Sequence, residues 1–418
     1  MACAIARTVH SVAQQSTGAA AMQSALPGST LANRERAIAD KYRHLRPVYF
    51  PYPGVHAFRK DFVPEGGPGN QATWPGHGLQ FAVSMPCAVS GPDIGRYHAA
   101  LLTEIADQGT RWGGGAAVTQ WDFGRTPQLL GDAQVAGLVD GLRRHFDVRP
   151  DCRGMYRLAV TRHFSAGRLR NLRCIGFNEL SIESGTREDR RRDAQWLARA
   201  REAGYRTVQL AIHQPAAYRN EFILARRLQN LVRLAPDRIA LRGRWLRKLH
   251  LQVLEDGGYR HAGVDLFVRD QNTADLTRLL VSQQRYPQGD CRFAGPNLLA
   301  VGAGAINAIG ASLSQHARAA ADYCWRIETR ASPIAGGITL SRDQLLRRMA
   351  MQTLLCEFEL PTAMMETLFG IDFAGYFAAQ AKVLRSMRDD GMLAWEDGWL
   401  SLLPAGWPLA RSICGVFA

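Results

Sequence analysis

Thr110-Arg-Trp-Gly-Gly-Gly115 decides how the rest of the chain is read. It reads as a short strand running straight into three glycines. Consecutive glycines at a strand end let the backbone come close to a neighbour, because no Cβ intervenes. In an α/β protein that neighbour is commonly a small molecule above the carboxyl ends of the strands. A glycine triplet alone serves equally well as a tight turn. It gains meaning because strand–helix units repeat on both sides of it.

Working outward, strands are expected at Leu79–Met85, Thr110–Gly115, Tyr156–Val160, Glu179–Ile182, Arg206–Ile212 and Asp237–Leu241. Each is followed by apolar residues at helical spacing: Tyr97–Gln108, Gly131–Phe146, Leu169–Ile175 closed by Gly176, Ala194–Ala203 closed by Gly204, Glu221–Leu234 and Leu249–Glu255. Such repeats predict an α/β fold, a barrel or open barrel of parallel strands with right-handed crossovers and a ligand site where the strands end. Past Arg260 the rhythm changes. Leu299–Ala311 (LAVGAGAINAIGA) is small and apolar, suited to a tight loop or close packing. Ser341 is a plausible N-cap for the helical run that follows it, Phe373–Arg388 is a second helix, and Asp389–Leu403 reads as a β-hairpin. The organisation expected is a flexible extension (1–45), an extended segment (46–78), the barrel with its following strands (79–330) and a C-terminal helical, winged-helix-like domain (331–418).

Composition limits the function classes. A chain of 418 residues with 46% hydrophobic residues buries a sizeable core. No apolar run reaches the ~18 residues that a membrane span needs. The net charge is +14 and almost all of the positive charge is arginine, since lysine occurs only at positions 41, 60, 248 and 382. The arginines are dispersed and interrupted by acids, with no basic stripe carrying interleaved aromatics, so they read as solvated helix faces and a nucleic-acid partner is not expected. Cys3, Cys87, Cys152, Cys174, Cys291, Cys324, Cys356 and Cys414 form no CxxC pair. Residues 1–45 lack the compact apolar core of a signal peptide, and scattered thiols fit a reducing cytoplasm. His163, His213 and His316 are not at metal-ligand spacing. A monomer is expected.

Several blocks match, in order and spacing, the oxygen-independent coproporphyrinogen III oxidase family: RPVYFPYP from Arg46, RWGGG from Arg111, LRNLRCIGFNELSI from Leu169, LAPDRIAL from Leu234, GVDLFVR from Gly263, NLLAVGAGAINAIG from Asn297, LSRDQLLRRMAMQTLLCEFEL from Leu340 and a final GW..LARSIC..F. From about Arg46 to its end the chain resembles that family. The resemblance implies an open, TIM-like (β/α)6 radical SAM barrel with an N-terminal segment and a C-terminal helical domain. It implies decarboxylation of two propionates of coproporphyrinogen III to give protoporphyrinogen IX. The family's cofactors are a 4Fe-4S cluster and S-adenosylmethionine, which is cleaved to a radical that takes hydrogen from the propionate.

The family's site residues carry over poorly. Its CxxxCxxC loop after the first strand is matched only by Cys87, in Ala82-Val-Ser-Met-Pro-Cys-Ala-Val-Ser-Gly91. A single thiolate cannot hold a 4Fe-4S cluster. Its Gly-Gly-Gly-Thr-Pro, which lines S-adenosylmethionine, is matched by Gly113, Gly114 and Gly115 followed by Ala116 and Ala117. Its ligand glutamate falls at Ala159, its glutamine at Gly185, its aspartate at Ala211 and its tyrosine at Ala82, while an apolar cofactor contact survives as Ile306. Losses on separate strands, each in register, imply a cofactor-free and catalytically impaired relative, in which cluster and S-adenosylmethionine bind weakly or not at all. Such a chain would bind a tetrapyrrole through its carboxylate side chains, or a partner in haem metabolism; no catalytic residue is assigned. Two alternatives stand beside this reading. One is an active dehydrogenase with a non-standard cluster built from Cys87, Cys152, Cys174 and Cys291. The other is an interaction or nucleic-acid-binding protein using the C-terminal domain.

Overall fold

In the computed structural model the described residues are 37–48 except 39 and 43, 51–63, 78–86, 89, 93–112, 117–159, 164–184, 190–213, 220–242, 248–264, 266–269 and 297–418. The chain divides into two units, Met1–Arg46 and Pro47–Ala418. The first is helical at 37, 38 and 40–42. The second holds the α/β fold.

The second unit opens with the strand–helix series β1 (Leu79–Val83), α1 (Asp93–Arg111), β2 (Ala117–Asp122), α2 (Thr126–Leu129), α3 (Asp132–His145), β3 (Asp147–Ala159), α4 (Ala166–Ile175), β4 (Glu179–Ser184), α5 (Arg190–Glu202), β5 (Thr207–His213), α6 (Glu221–Leu234), β6 (Arg238–Arg242) and α7 (Lys248–Asp256). Short strands β7 (Tyr259–His261) and β8 (Leu266–Arg269) follow, then β9 (Asn297–Val301), β10 (Ile306–Ile309), β11 (Ser312–His316), α8 (Ala320–Glu328) and β12 (Ile334–Thr339). All twelve strands form one sheet in the order β12-β11-β10-β9-β1-β2-β3-β4-β5-β6-β8-β7. β9 and β1 to β6 run parallel, and antiparallel strands extend the sheet on both sides. The first and last strands in that order are not paired to each other, so the barrel is open.

The two faces of the parallel strands carry different chemistry. Leu180 and Ile182, Val208 and Leu210, and Tyr156 and Leu158 pack outward into the helix layer with Leu101, Ile105, Leu138 and Leu228. The alternate positions face the concave side and are largely polar. There Glu179 accepts two hydrogen bonds from Arg153, at 2.6 and 3.0 Å, and one from Arg238 at 3.0 Å. Arg153 stands on β3 and Arg238 on β6, so the three charges span four strands and seal the base of the lumen.

The outer helices share a device. Arg143 of α3 donates to the carbonyl of Ile175 at 3.1 Å, Arg173 of α4 to that of Gly204 at 2.8 Å, and Arg201 of α5 to that of Ala235 at 2.5 Å. Each last-turn arginine thus caps the C-terminal carbonyls of the next helix, where unpaired C=O groups and the helix dipole favour a cation.

Two expectations are corrected. Thr110–Trp112 is not a strand, and Gly113–Gly115 lie outside the described residues. Thr110 and Arg111 finish α1, with the Thr110 hydroxyl donating to Ala106 O at 3.0 Å. The helix passes through Gly109 because a Cβ there would lie 2.4 Å from that of His145; this glycine serves close packing of α1 on α3 and not helix termination. The strand is Ala117–Asp122, so the triplet precedes it in chain order. Likewise Leu299–Ala311 is not a loop, since it contributes to β9 and β10 around a short turn. Close packing does hold there: a Cβ on Gly302, at φ +102°, would lie 2.0 Å from Ser84 O.

The extended segment ahead of β1 covers a sheet edge. Arg59 and Gly337 of β12 exchange backbone hydrogen bonds at 2.8 and 3.0 Å, which blunts an edge otherwise open to strand addition. The C-terminal part comprises α9 (Arg342–Glu357), β13 (Glu359–Pro361), α10 (Thr362–Phe369), α11 (Phe373–Tyr376), α12 (Ala378–Asp389), β14 (Leu393–Glu396), β15 (Trp399–Leu402) and α13 (Ala410–Cys414). Ser341 caps α9 in a reciprocal box with Gln344, as its sequence suggests. Asp397 and Gly398, both at positive φ, form the two-residue hairpin turn between β14 and β15.

Burial alone would raise the Glu179 carboxyl pKa, but Arg153 and Arg238 outweigh it and hold it well below the usual carboxylate range. A depressed folded-state pKa contributes stability that is complete above the unfolded value of about 4.3 and is lost as pH falls through that range. Glu179→Gln removes the carboxylate shared by the buried Arg238 and the part-buried Arg153 and is expected to cost about 3–5 kcal/mol at neutral pH. Urea unfolding of both chains tests this, and the difference between them should shrink below about pH 4.

Candidate functional site

The carboxyl ends of β1 to β6 form the mouth of the open barrel, the position where α/β barrels hold ligands. Strand register fixes what meets there. Ala82 pairs with Asp122, Ala159 with Glu183, Glu183 with Ala211, and Ala211 with Ala240. The three alanines are positions expected to have lost a cofactor ligand, and charged groups stand beside them.

Two ion pairs cross the mouth. Arg157 of β3 lies 3.6 Å from Asp122 of β2, and Arg125, in the turn after β2, grips Glu183 of β4 through both Nε and Nη2. The Asp122 carboxylate also accepts from Gly124 N–H at 2.7 Å, and Arg157 N–H donates to Gly124 O at 2.7 Å, so the turn is tied to β3 from both sides. At Ala159 the side chain of Gln128, on α2, accepts from the backbone N–H at 2.9 Å and donates to the carbonyl at 2.6 Å. That amide completes the ladder at the end of β3. Ala211 is fully buried in a small apolar cluster with Ala240, Ala262, Leu266 and Val268, a setting in which a carboxylate would be desolvated without a partner.

Ile306 begins β10 and is half-buried. It reaches the mouth because β9 runs parallel to β1, with Val83 opposite Val301, and the chain turns at Gly302–Ala305. A buried network pins that turn. Glu104 of α1 accepts from Gly302 N–H at 2.9 Å and from the Tyr323 hydroxyl at 2.5 Å, and lies 3.3 Å from His316. Tyr97 accepts from Ala303 N–H and donates to Ser84 O, both at 2.7 Å. Burial pushes both phenols well above their usual pKa, so each remains a donor. His316, outside metal-ligand spacing in the sequence, is therefore a core hydrogen-bonding histidine.

Cys87, Gly113, Gly114, Gly115 and Gly185 lie outside the described residues. The segment that does follow β2 is Phe123-Gly124-Arg125-Thr126-Pro127, with Gly124 at φ +50°. Thr126 and Pro127, rather than Ala116 and Ala117, therefore stand where a strand-following Gly-Gly-Gly-Thr-Pro would end. Cys152 is buried toward the start of β3, its thiol pushed up to about 12 by burial. Seven residues of strand, roughly 23 Å, separate it from Ala159 at the mouth. Cys174 is exposed on α4. Among the described residues no three His, Cys, Asp or Glu side chains are placed to hold a metal, and no helix is long and apolar enough to cross a membrane.

Comparison with known proteins supports the fold and its kinship. The chain is 25% identical to the oxygen-independent coproporphyrinogen III oxidase of Escherichia coli K12 over 91% of its own length and 94% of that protein. It is 27% identical to that of Pseudomonas aeruginosa over 82% and 86% of the two chains. A structure described as coproporphyrinogen III oxidase (HemN) from Escherichia coli, a radical SAM enzyme, superposes with a TM-score of 0.75 at 24% identity, covering 88% of this chain and 96% of the other. The chain resembles the oxygen-independent coproporphyrinogen III oxidases. Its fold is the radical SAM α/β barrel of the E. coli enzyme with a C-terminal helical domain, and residues 340–409 match the HemN C-terminal domain.

Asp122, Arg125, Gln128, Arg157 and Glu183 were not singled out in the sequence. The available signal was charge at alternate positions of otherwise apolar strands, Arg157 in Tyr-Arg-Leu and Glu183 in Ile-Glu-Ser. Gln128→Ala removes both partners of the Ala159 backbone and is expected to destabilise the chain by about 1–3 kcal/mol, read as a fall in the urea midpoint with an unchanged slope.

Proposed function

We propose that this chain is a cofactor-free relative of oxygen-independent coproporphyrinogen III oxidase, binding a carboxylate-bearing tetrapyrrole at the barrel mouth without carrying out radical chemistry on it. The observation that carries the reading is the chemistry of the donor set. Between β1 and α1 the sequence supplies one cysteine, Cys87, where a 4Fe-4S cluster with one open iron needs three thiolates. The residues present do not fit the cluster. Nor do the neighbouring positions fit S-adenosylmethionine. The β3 end is closed by Gln128, the β5 position is sealed in the Ala211 cluster, and the space between is spanned by Arg125 and Glu183.

What remains suits anion binding. Arg125 and Arg157 bring two guanidiniums to one opening, and guanidinium forks recognise carboxylates in bidentate fashion. A converging set of cysteines has less support, because Cys152 sits far down β3. Nucleic-acid binding through the C-terminal domain also has less, because residues 340–418 carry nine acidic against seven basic side chains, the wrong sign for a phosphate backbone.

Anaerobic reconstitution with iron and sulfide, followed by metal analysis, tests the first half. The expected result is no stoichiometric iron, and about four irons per chain would overturn it. Titration with coproporphyrin III, followed by absorbance, tests the second half. Saturable one-to-one binding is expected, weakened at least tenfold by Arg125→Ala through loss of a charge-assisted hydrogen bond worth about 1.5–3 kcal/mol. No binding by the wild-type chain would sink it.

A further inference from the structure

A second concave site lies on the C-terminal domain, away from the barrel mouth. α11, α12 and β14 enclose a groove of about 320 Å³, within the range of small-molecule pockets. It is lined by the exposed Ala374 and Ala378, the buried Ala381 and Leu384, and the part-buried indole of Trp395. The Trp395 ring is held edge-on against Phe373, 5.9 Å between centroids, so it is a fixed flat surface. Arg385 and Arg388 stand at the rim.

The charges say what fits. Of the seven basic side chains in residues 340–418, four are engaged within the domain. Arg342 donates to Phe369 O, Arg347 pairs with Asp343 and donates to Phe417 O, and Arg348 and Arg411 are also bonded. The other three, Lys382, Arg385 and Arg388, all lie on α12. Arg388 is shared with Asp389 at 3.3 Å, whereas Arg385 has no hydrogen-bond or ion-pair partner among the described residues. An apolar trough ending in one uncommitted guanidinium matches a molecule with an apolar body and a single anionic end. A polyanion is disfavoured by the nine acids of the same domain.

We propose that this groove is a binding site for a small amphipathic carboxylate, an acyl or aryl chain lying along the alanines against Trp395 with its carboxylate on Arg385. Burying the apolar body supplies the affinity and the guanidinium sets the orientation. The site owes nothing to the barrel mouth, so it stands or falls separately from the tetrapyrrole reading.

The test uses the full chain and decanoate as probe, followed by displacement of 1-anilinonaphthalene-8-sulfonate and by calorimetry. Decanoate is expected to bind at one site, with decanol at least tenfold weaker because it lacks the charge. Arg385→Glu should weaken decanoate at least tenfold, and Ala378→Phe, which fills the groove at an exposed position, should abolish binding while leaving coproporphyrin III binding unchanged. Circular dichroism melts establish that both variants fold. Absence of decanoate binding at ~1 mM, a concentration that reveals even weak sites, overturns the proposal. So does wild-type decanoate affinity in both folded variants, or equal affinity for decanol.

Discussion

Arg153, Glu179 and Arg238 meet inside a sheet that is not closed, and the arrangement of the polar lumen follows from how that charge is satisfied. A lone carboxylate at this depth would be untenable, and two lone guanidiniums equally so. Together the two guanidiniums hold the carboxylate from both sides and tie β3 to β6. The mouth repeats the scheme higher up with Asp122–Arg157 and Arg125–Glu183. The concave face is thus tied across its strands at two levels by charge, while the convex face is held by apolar packing. At the strand ends, Gln128 satisfies the backbone of Ala159, and apolar packing closes over Ala211.

The arginine content takes on a different meaning in this light. Read as composition, it suggests either an anionic partner or a bias with no consequence. In the fold, Arg143, Arg173 and Arg201 are successive rungs, each closing the end of the next helix around the outside. Lysine would serve less well, because one planar fork can reach a carbonyl while its aliphatic stem lies along the helix. These three arginines are at least partly exposed, yet each is committed to a backbone oxygen of its own fold.

The parallel strands and their helices were legible because each pairs with its sequence neighbour, and periodicity and glycine stops are local signals. Gly176 and Gly204 do end helices. β2 lies at Ala117–Asp122 and not at Thr110–Gly115 because α1 continues through Gly109 to Arg111, where the glycine packs against His145, a tertiary contact with no local trace. The strands that follow the barrel were expected as a group, but β7, β8 and β10 to β12 could not be bounded individually because they are short, three to six residues each. At the site, the polar contacts of the mouth were not legible, because Arg125 reaches Glu183 across 58 residues of sequence and Gln128 reaches Ala159 across 31.

The two pairs at the mouth differ in what it takes to open them. Asp122 is 1% exposed, so freeing Arg157 would strand a buried carboxylate at a cost of about 3–5 kcal/mol. Arg125 is 42% exposed while its partner Glu183 is only 9% exposed, so the guanidinium reaches solvent and the carboxylate does not. Taking Arg125 away altogether would strand a largely buried carboxylate, whereas sharing it costs less, because the pair engages only Nε and Nη2 of a guanidinium that has five N–H donors. Arg157 ties the β2–β3 end of the mouth, and Arg125, in the turn after β2, is the more exposed of the two guanidiniums. That turn is itself held to β3 through Gly124, whose N–H donates to Asp122 and whose carbonyl accepts from Arg157 N–H, so Arg125 is presented from a fixed base.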